Sequence, residues 1–223
     1  MHQGERYTRH LLQWGEERLE RLRRSSVLVA GVGGLGCGVV QVLVRAGVGR
    51  LHLVDPGVVD WPDLNRQVLY GEGDLGRKKI DVARERLAAI HSGVDLVTWD
   101  CRIDAGFRVP DGLDLVVDCL DNYQGRIHLY QATPGKVLYV HGGVQGVAGQ
   151  VLTLRKGESQ PLDEIYAGCK QPVGPIPVTP DSVAVMSGLQ ASEALHALWG
   201  SPKLLNRFLI FDLTDFHASF LPV

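Results

Sequence analysis

The sequence predicts an α/β fold: one mostly parallel sheet with helices on both faces, continued by antiparallel strands towards the C-terminus. Three observations carry this. Apolar runs ending in glycine or an acid, such as "SVLVAG" and "RLHLVD", alternate with segments of helical periodicity. A glycine-rich turn joins the first such run to a helix, so that strand, turn, helix and strand follow between Val27 and Asp55. The 223-residue length and the lack of internal repeats suit a single domain, residues 1–223.

Taken in order, Glu5 to Arg24 reads as one or two amphipathic helices, with Leu11, Leu12, Leu19 and Leu22 at roughly helical spacing. "SVLVAG" has no polar residue after its serine, which suits a strand buried on both faces. "LGCGVVQVLVRAG" is a helix closed by Gly47, and "RLHLVD" the parallel partner strand. "LGRKKIDVARERLAAIHSG" is the next amphipathic helix, with Ile80, Ala83, Leu87 and Ile90 on one face. "VDLVTWD" and "LDLVVDCLDN" are strands, the second with an acidic tip. "YQGRIHLYQATP" is a helix stopped at Pro134, "KVLYVHGGV" a strand, and "AGQVLTLR" its continuation or antiparallel partner. From Lys156 to Pro180 five prolines interrupt any periodicity, and a long, mobile surface loop is expected there. "DSVAVMSGLQASEALHALWG" is a helix with Asp181 or Ser182 as N-cap and Gly200 closing it, and "NRFLIFDLTDFHASFLPV" gives one or two strands.

Composition excludes several classes of function. A net charge of −2 gives no basis for binding nucleic acid or an anionic membrane, and the basic run Arg18 to Arg24 reads as a solvated helix face. No long uncharged apolar run suggests a membrane span, and the N-terminus does not resemble a signal peptide, so a cytoplasmic protein is expected. The four cysteines form no C-x-x-C pair, which argues against a disulfide framework and a zinc site. Cys37 and Cys119 fall in apolar contexts and read as small core residues.

Gly31, Gly33, Gly34 and Gly36 permit a tight turn in which backbone amides and a helix N-terminus approach a phosphate. Asp55 ends the second strand, where an acid accepts from ribose hydroxyls. The turn alone leaves NAD and ATP open. Further along, Asn65, Arg66 and Gln67 precede a short helix, and Lys78 and Lys79 open the next one. Arg66 with Lys79 supplies two cations suited to a triphosphate, where charge builds on departing pyrophosphate. Asp118 and Asp121 stand at a strand end on the ligand-binding edge of such a sheet, where a carboxylate holds magnesium against phosphate.

Read together, "RYTRH", "GVGGLG", "LVD", "DLNRQ", "GRKK", "DCLDN" followed by Arg126, and "SGLQASEAL" closely resemble the ThiF/MoeB/HesA family, the bacterial relatives of ubiquitin-activating enzymes. The resemblance runs from about Arg6 to Asp212 and is weakest between Lys156 and Thr179. It implies a Rossmann-like homodimer that uses Mg-ATP to adenylate the C-terminal glycine of a small ubiquitin-like or sulfur-carrier protein ending in Gly-Gly. By position, the glycine turn and Asp55 would hold the adenosine, Arg66 and Lys79 would face the phosphates, and Asn65 and Gln67 would support that loop. Asp121 matches the acid associated with magnesium, followed by Asn122 and by Arg126 at the family's spacing. Arg9 matches an arginine that reaches the neighbouring subunit's ATP.

This chain departs from the family's pattern at three places. Asp63 stands where the family usually has asparagine, and Asn65 is near enough to compensate. Both zinc-binding cysteine pairs are missing, so no zinc is expected. The segment that bears a transfer cysteine in some relatives holds only Cys169, which is either the acceptor of an acyl or persulfide group or an incidental loop residue. Two other readings stay open: a non-catalytic relative that binds a nucleotide or partner, and an NAD-dependent oxidoreductase, in which "DLNRQ", "GRKK" and "DCLDN" have no role. His141 follows a strand tip and is expected to be a satisfied loop residue.

Overall fold

In the computed structural model, residues 3–170 and 174–223 are described, with side chains from Glu5 onward. The strands are β1 (Ser26–Ala30), β2 (Arg50–Val54), β3 (Asp95–Trp99), β4 (Leu115–Asp118), β5 (Leu138–Gln145), β6 (Ala148–Arg155), β7 (Arg207–Asp212) and β8 (His217–Pro222). The helices are α1 (Gln3–Arg6), α2 (Thr8–Arg24), α3 (Gly34–Ala46), α4 (Lys79–Ile90), α5 (Tyr123–Ala132), α6 (Leu162–Ile165) and α7 (Pro180–Leu198). Among the described residues these strands form one sheet, in the order β3-β2-β1-β4-β5-β6-β7-β8. β3, β2, β1, β4 and β5 are parallel, and β6, β7 and β8 continue antiparallel. The expected fold class is therefore the observed one.

Strand alternation divides the core in two. Val27 and Val29 of β1 face a cluster built with Leu22 of α2, Val39, Val40, Leu43 and Val44 of α3, Val82 and Leu87 of α4, and Met186 and Ala194 of α7. Leu28 and Ala30, one residue out of phase, face Leu129 and Tyr130 of α5 and Leu162 of α6. A strand covered on both faces has no polar side, hence the uninterrupted apolar run of β1. Each fully buried Val or Leu here contributes about 1.5–3 kcal/mol of transfer free energy.

Several boundaries differ from the sequence reading. α2 carries a left-handed residue, Gly15, at φ 77°. The helical phase restarts there, so Leu19 and Leu22 are buried while Leu12 is 86 % exposed. α7 begins earlier than predicted: Thr179 is the N-cap and Pro180 occupies the first turn, where its missing N–H costs nothing. Ser182 is the third helical residue, and its hydroxyl accepts from the Thr179 N–H at 3.2 Å.

The segment from Lys156 to Pro180 is more organised than its composition suggests. It contains α6, whose Leu162 is fully buried. Further along, Pro177 O accepts from Gly146 N at 2.6 Å, and Val178 bridges to Gly146, so this stretch crosses the β5–β6 turn. His141 lies within β5, not in a loop, and is 1 % exposed. Among the described residues no helix is long and apolar enough to cross a membrane.

Candidate active site

β1 is flanked by β2 on one side and β4 on the other, so the chain reverses its direction of progress across the sheet there. In open α/β sheets the C-terminal edge at such a point opens a crevice. A cavity of about 770 Å³ lies at this place, lined by Gly31, Gly33 and Gly34 after β1, Asp55 after β2, and Leu120, Asp121 and Asn122 after β4. Asp63, Arg66, Gln67 and Lys79 line it too.

The glycine turn is held from several sides. Gly31 has φ +87°, and a Cβ there would lie 2.8 Å from Cys119 O. At Gly36 a Cβ would lie 1.9 Å from Gly31 O, so Gly36 packs against the turn and does not line the cavity. Asp55 accepts from Val32 N through Oδ2 and from Gly57 N through Oδ1, both at 2.7 Å. The Tyr70 hydroxyl donates to Val32 O at 2.7 Å. Thus Asp55 and Tyr70 clamp the peptide groups on either side of Val32. Asp55 reaches the cavity wall with both oxygens already committed to amides, each keeping a lone pair for a ribose hydroxyl. The N-cap of α3 is Gly33, which has no side chain to satisfy the first-turn amides, and these remain available to an anion.

Beside the clamp, a 3₁₀ turn (Trp61–Asp63) presents Asp63, with Arg66 three residues further on. Lys79 Nζ lies 3.0 Å from Asp63 Oδ2, and each side chain is 13 % exposed. Gln67 Nε2 donates to Asp63 Oδ1 at 2.6 Å, and Asp60 N donates to Oδ2 at 3.1 Å. Gln67 is 3 % exposed, and its Oε1 is buried with no hydrogen-bond partner. Arg66 NH1 donates to Pro62 O at 2.6 Å and to Asn65 Oδ1 at 2.9 Å. Asn65 itself is exposed and does not line the cavity.

The two acids of "DCLDN" part company. Asp121 is exposed at the cavity wall, 3.3 Å from Asn122 Nδ2. Asp118 has no exposure; its Oδ2 takes Arg126 NH1 at 2.8 Å and faces His141 Nδ1 at 2.7 Å. Burial alone would raise its pKa, but the Arg126 charge and the His141 hydrogen bond overcome that and hold it at about 2. Asp118 is therefore no candidate for magnesium, because its lone pairs are directed into the core. Arg126 also donates to Gly142 O at 2.7 Å and to Leu120 O, tying β4, β5 and α5 together beneath the cavity. Asn122 is the N-cap of α5, accepting from Gly125 N at 2.8 Å. Arg126 and Asn122 thus line the cavity as parts of its frame.

Arg9 is exposed on α2 and is not part of this cavity wall. Cys169 is exposed beyond α6, its N–H bonded to Tyr166 O at 3.0 Å. Cys37 and Cys119 are core residues, and burial pushes the Cys37 thiol up to about 12. The sequence reading missed one wall of the cavity, Cys101 to Asp104 after β3, and His128 on α5. The rule that ligands meet the C-terminal strand edge reaches the first of these, since "WDCRID" follows β3 at the same edge as Asp55. His128 Nδ1, like Gln67 Oε1, is buried without a partner at the cavity wall. Two orphaned polar atoms, bare α3 amides and two cations fit a polyphosphate with a polar base better than an apolar ligand. Among the described residues no cluster of three or more His, Cys, Asp or Glu is placed to hold a metal ion.

Comparison with known proteins gives one consistent picture. The model of the ThiF family matches residues 7–223. The chain is 36 % identical to the sulfur carrier protein adenylyltransferase of Thermus thermophilus, covering 97 % of this chain and 85 % of that protein. It is 33 % identical to the molybdopterin-synthase adenylyltransferase of Salmonella typhimurium, over 88 % and 84 % of the two. Among solved structures it is similar to PaaA, with a TM-score of 0.80 at 24 % identity over 98 % of this chain and 73 % of that one. It is also similar to MccB of E. coli, with a TM-score of 0.83 at 19 % identity over 97 % and 69 %. At these identities the structural likeness speaks for the fold alone.

Proposed function

The chain belongs to the ThiF family and is an adenylyltransferase, and we propose that it activates the C-terminal glycine carboxylate of a small sulfur-carrier or ubiquitin-like protein with Mg-ATP. The observation that carries this reading is the convergence, on one cavity, of the α3 N-terminus with Arg66, Lys79 and Asp121. A site for hydride transfer has no use for that set. The names of the relatives support the choice of acceptor: one acts on a sulfur carrier protein and another is a SAMP-activating enzyme E1, the latter 33 % identical over 99 % of this chain.

In this reading a carboxylate oxygen of the carrier attacks the α-phosphorus in line, the bond to the bridging oxygen breaks, and pyrophosphate leaves. The α3 amides, Arg66 and Lys79 hold the phosphates and offset the charge that develops on the departing oxygen. Asp121 would hold magnesium, which would neutralise phosphate charge when bound. Asp55 with the glycine turn orients the adenosine, Gln67 keeps the Asp63 loop in place, and Asn122 and Arg126 keep the floor of the cavity rigid. No general base is required, because a C-terminal carboxylate is already ionised near neutral pH. The enzyme's contribution is positioning and neutralisation. We further propose a homodimer acting in the cytoplasm, with Arg9 serving the partner's site, no structural zinc, and Cys169 as a candidate acceptor of the activated group.

ATP–pyrophosphate exchange tests this directly. With a panel of small carriers ending in Gly-Gly, exchange should require one carrier and fall by at least about a hundredfold in Asp121→Ala, the size of effect expected for loss of an electrostatic group. ATP binding without exchange for any carrier would instead favour a nucleotide-binding scaffold.

A further inference from the structure

Asp63 is an anomaly in a cavity read as a phosphate site, since it places a carboxylate on the lysine that would otherwise meet the phosphates. We propose that Asp63 makes nucleotide recognition conditional on a divalent cation, so that the site accepts ATP with its cation and discriminates against the free triphosphate. The inference rests on the adenylation reading and deepens it.

Three features support it. First, Lys79 and Asp63 are 3.0 Å apart and each 13 % exposed, so solvent screens the pair only partly and the lysine's charge is locally cancelled. Four aspartates and four lysine or arginine side chains line the cavity among the described residues, so their charges sum to zero. A free triphosphate therefore gains no net attraction from the side-chain charges and is held by the α3 amides alone. Second, Asp63 is fixed. Lys79 Nζ at 3.0 Å, Gln67 Nε2 at 2.6 Å and Asp60 N at 3.1 Å all hold its carboxylate, and it cannot swing aside without breaking all three. Third, beside it Gln67 Oε1 is buried and unpartnered. Carboxylate and amide oxygens together form an acceptor-rich corner. Phosphate oxygens are also acceptors and cannot satisfy it, whereas a hydrated divalent cation supplies both positive charge and donor O–H groups.

The test is nucleotide binding by titration calorimetry, not turnover. ATP is titrated with excess magnesium and again with EDTA, into the unmodified protein and into Asp63→Asn, with AMP as reference for the adenosine end. Asparagine keeps an acceptor for Gln67 Nε2, removes the charge and replaces the oxygen that accepts from Asp60 N by a donor. The unmodified protein should bind ATP at least about tenfold more weakly without the cation, and Asp63→Asn should narrow that gap to about threefold by tightening free ATP. AMP affinity should not change. An equal gap in both proteins, or an equal change for AMP, overturns the proposal. So does binding of free ATP and Mg-ATP alike by the unmodified protein, an arm that needs no variant. Failure of either protein to bind ATP under both conditions overturns the adenylation reading, and this proposal with it.

Discussion

Asp118 has no contact with solvent, yet its pKa is held at about 2 by Arg126 and His141 against the effect of burial. The pair is structural: its partners bind β4, β5 and α5 under the cavity. Because the folded pKa lies below the unfolded value of about 3.9, Asp118 contributes stability above about pH 4, and that contribution is lost as pH falls through about 2. Asp118→Asn leaves the Arg126 charge buried without its counter-ion, which should cost about 3–5 kcal/mol near neutral pH. Urea unfolding at pH 7 measures this, and the gap to the unmodified protein should narrow between about pH 4 and pH 2. A gap independent of pH would mean that geometry, not charge, holds the floor. Sequence alone does not separate Asp118 from Asp121. Both stand at the end of β4, and only the last strand register and the positions of Arg126 and His141 turn one inward and leave the other at the wall. Asp63 stands out in the sequence, but its pairing was equally illegible, because Lys79 is sixteen positions away and meets it only through the fold.

What was legible among the elements is what local physics determines. The β1–α3–β2 unit announces itself because a doubly buried strand must be apolar throughout, and because backbone contacts at Gly31 and Gly36 leave no room for a side chain. The Lys156–Pro180 segment was illegible because its order comes from distant partners. Leu162 enters the core beside α5, and the Tyr166 hydroxyl meets His141 Nε2 at 2.6 Å and accepts from Gln150 Nε2. No periodicity records such contacts. Tyr166 therefore fastens the stretch leading to Cys169 onto β5 and β6. Tyr166→Phe removes two hydrogen bonds and should cost about 1–2 kcal/mol. Amide hydrogen exchange should quicken from 162 to 169 and stay unchanged in α7. Unchanged exchange in that stretch would assign the anchoring to Leu162 alone.

The cavity of one chain holds Arg66, Lys79 and Asp121 but not Arg9, which stands exposed on α2. If Arg9 acts on ATP, the molecule that works is an assembly, and the arginine must come from a neighbour. This has a quantitative consequence. Arg9→Ala and Asp121→Ala should each abolish pyrophosphate exchange when alone. In a mixed dimer the Arg9→Ala subunit keeps its own Asp121 and receives Arg9 from its partner, so one of its two sites works. Equal mixing places half the molecules in mixed dimers, and activity should recover to about a quarter of the unmodified level, provided the subunits exchange freely. The measurement is exchange activity after co-refolding the two inactive proteins. Recovery identifies both the dimer and the crossing of Arg9 between subunits. No recovery from two folded, dimeric variants would place Arg9 in its own chain's site. Full activity of Arg9→Ala alone would remove it from the reaction altogether. Recovery cannot arise within single chains, because every chain in the mixture carries one of the two lesions.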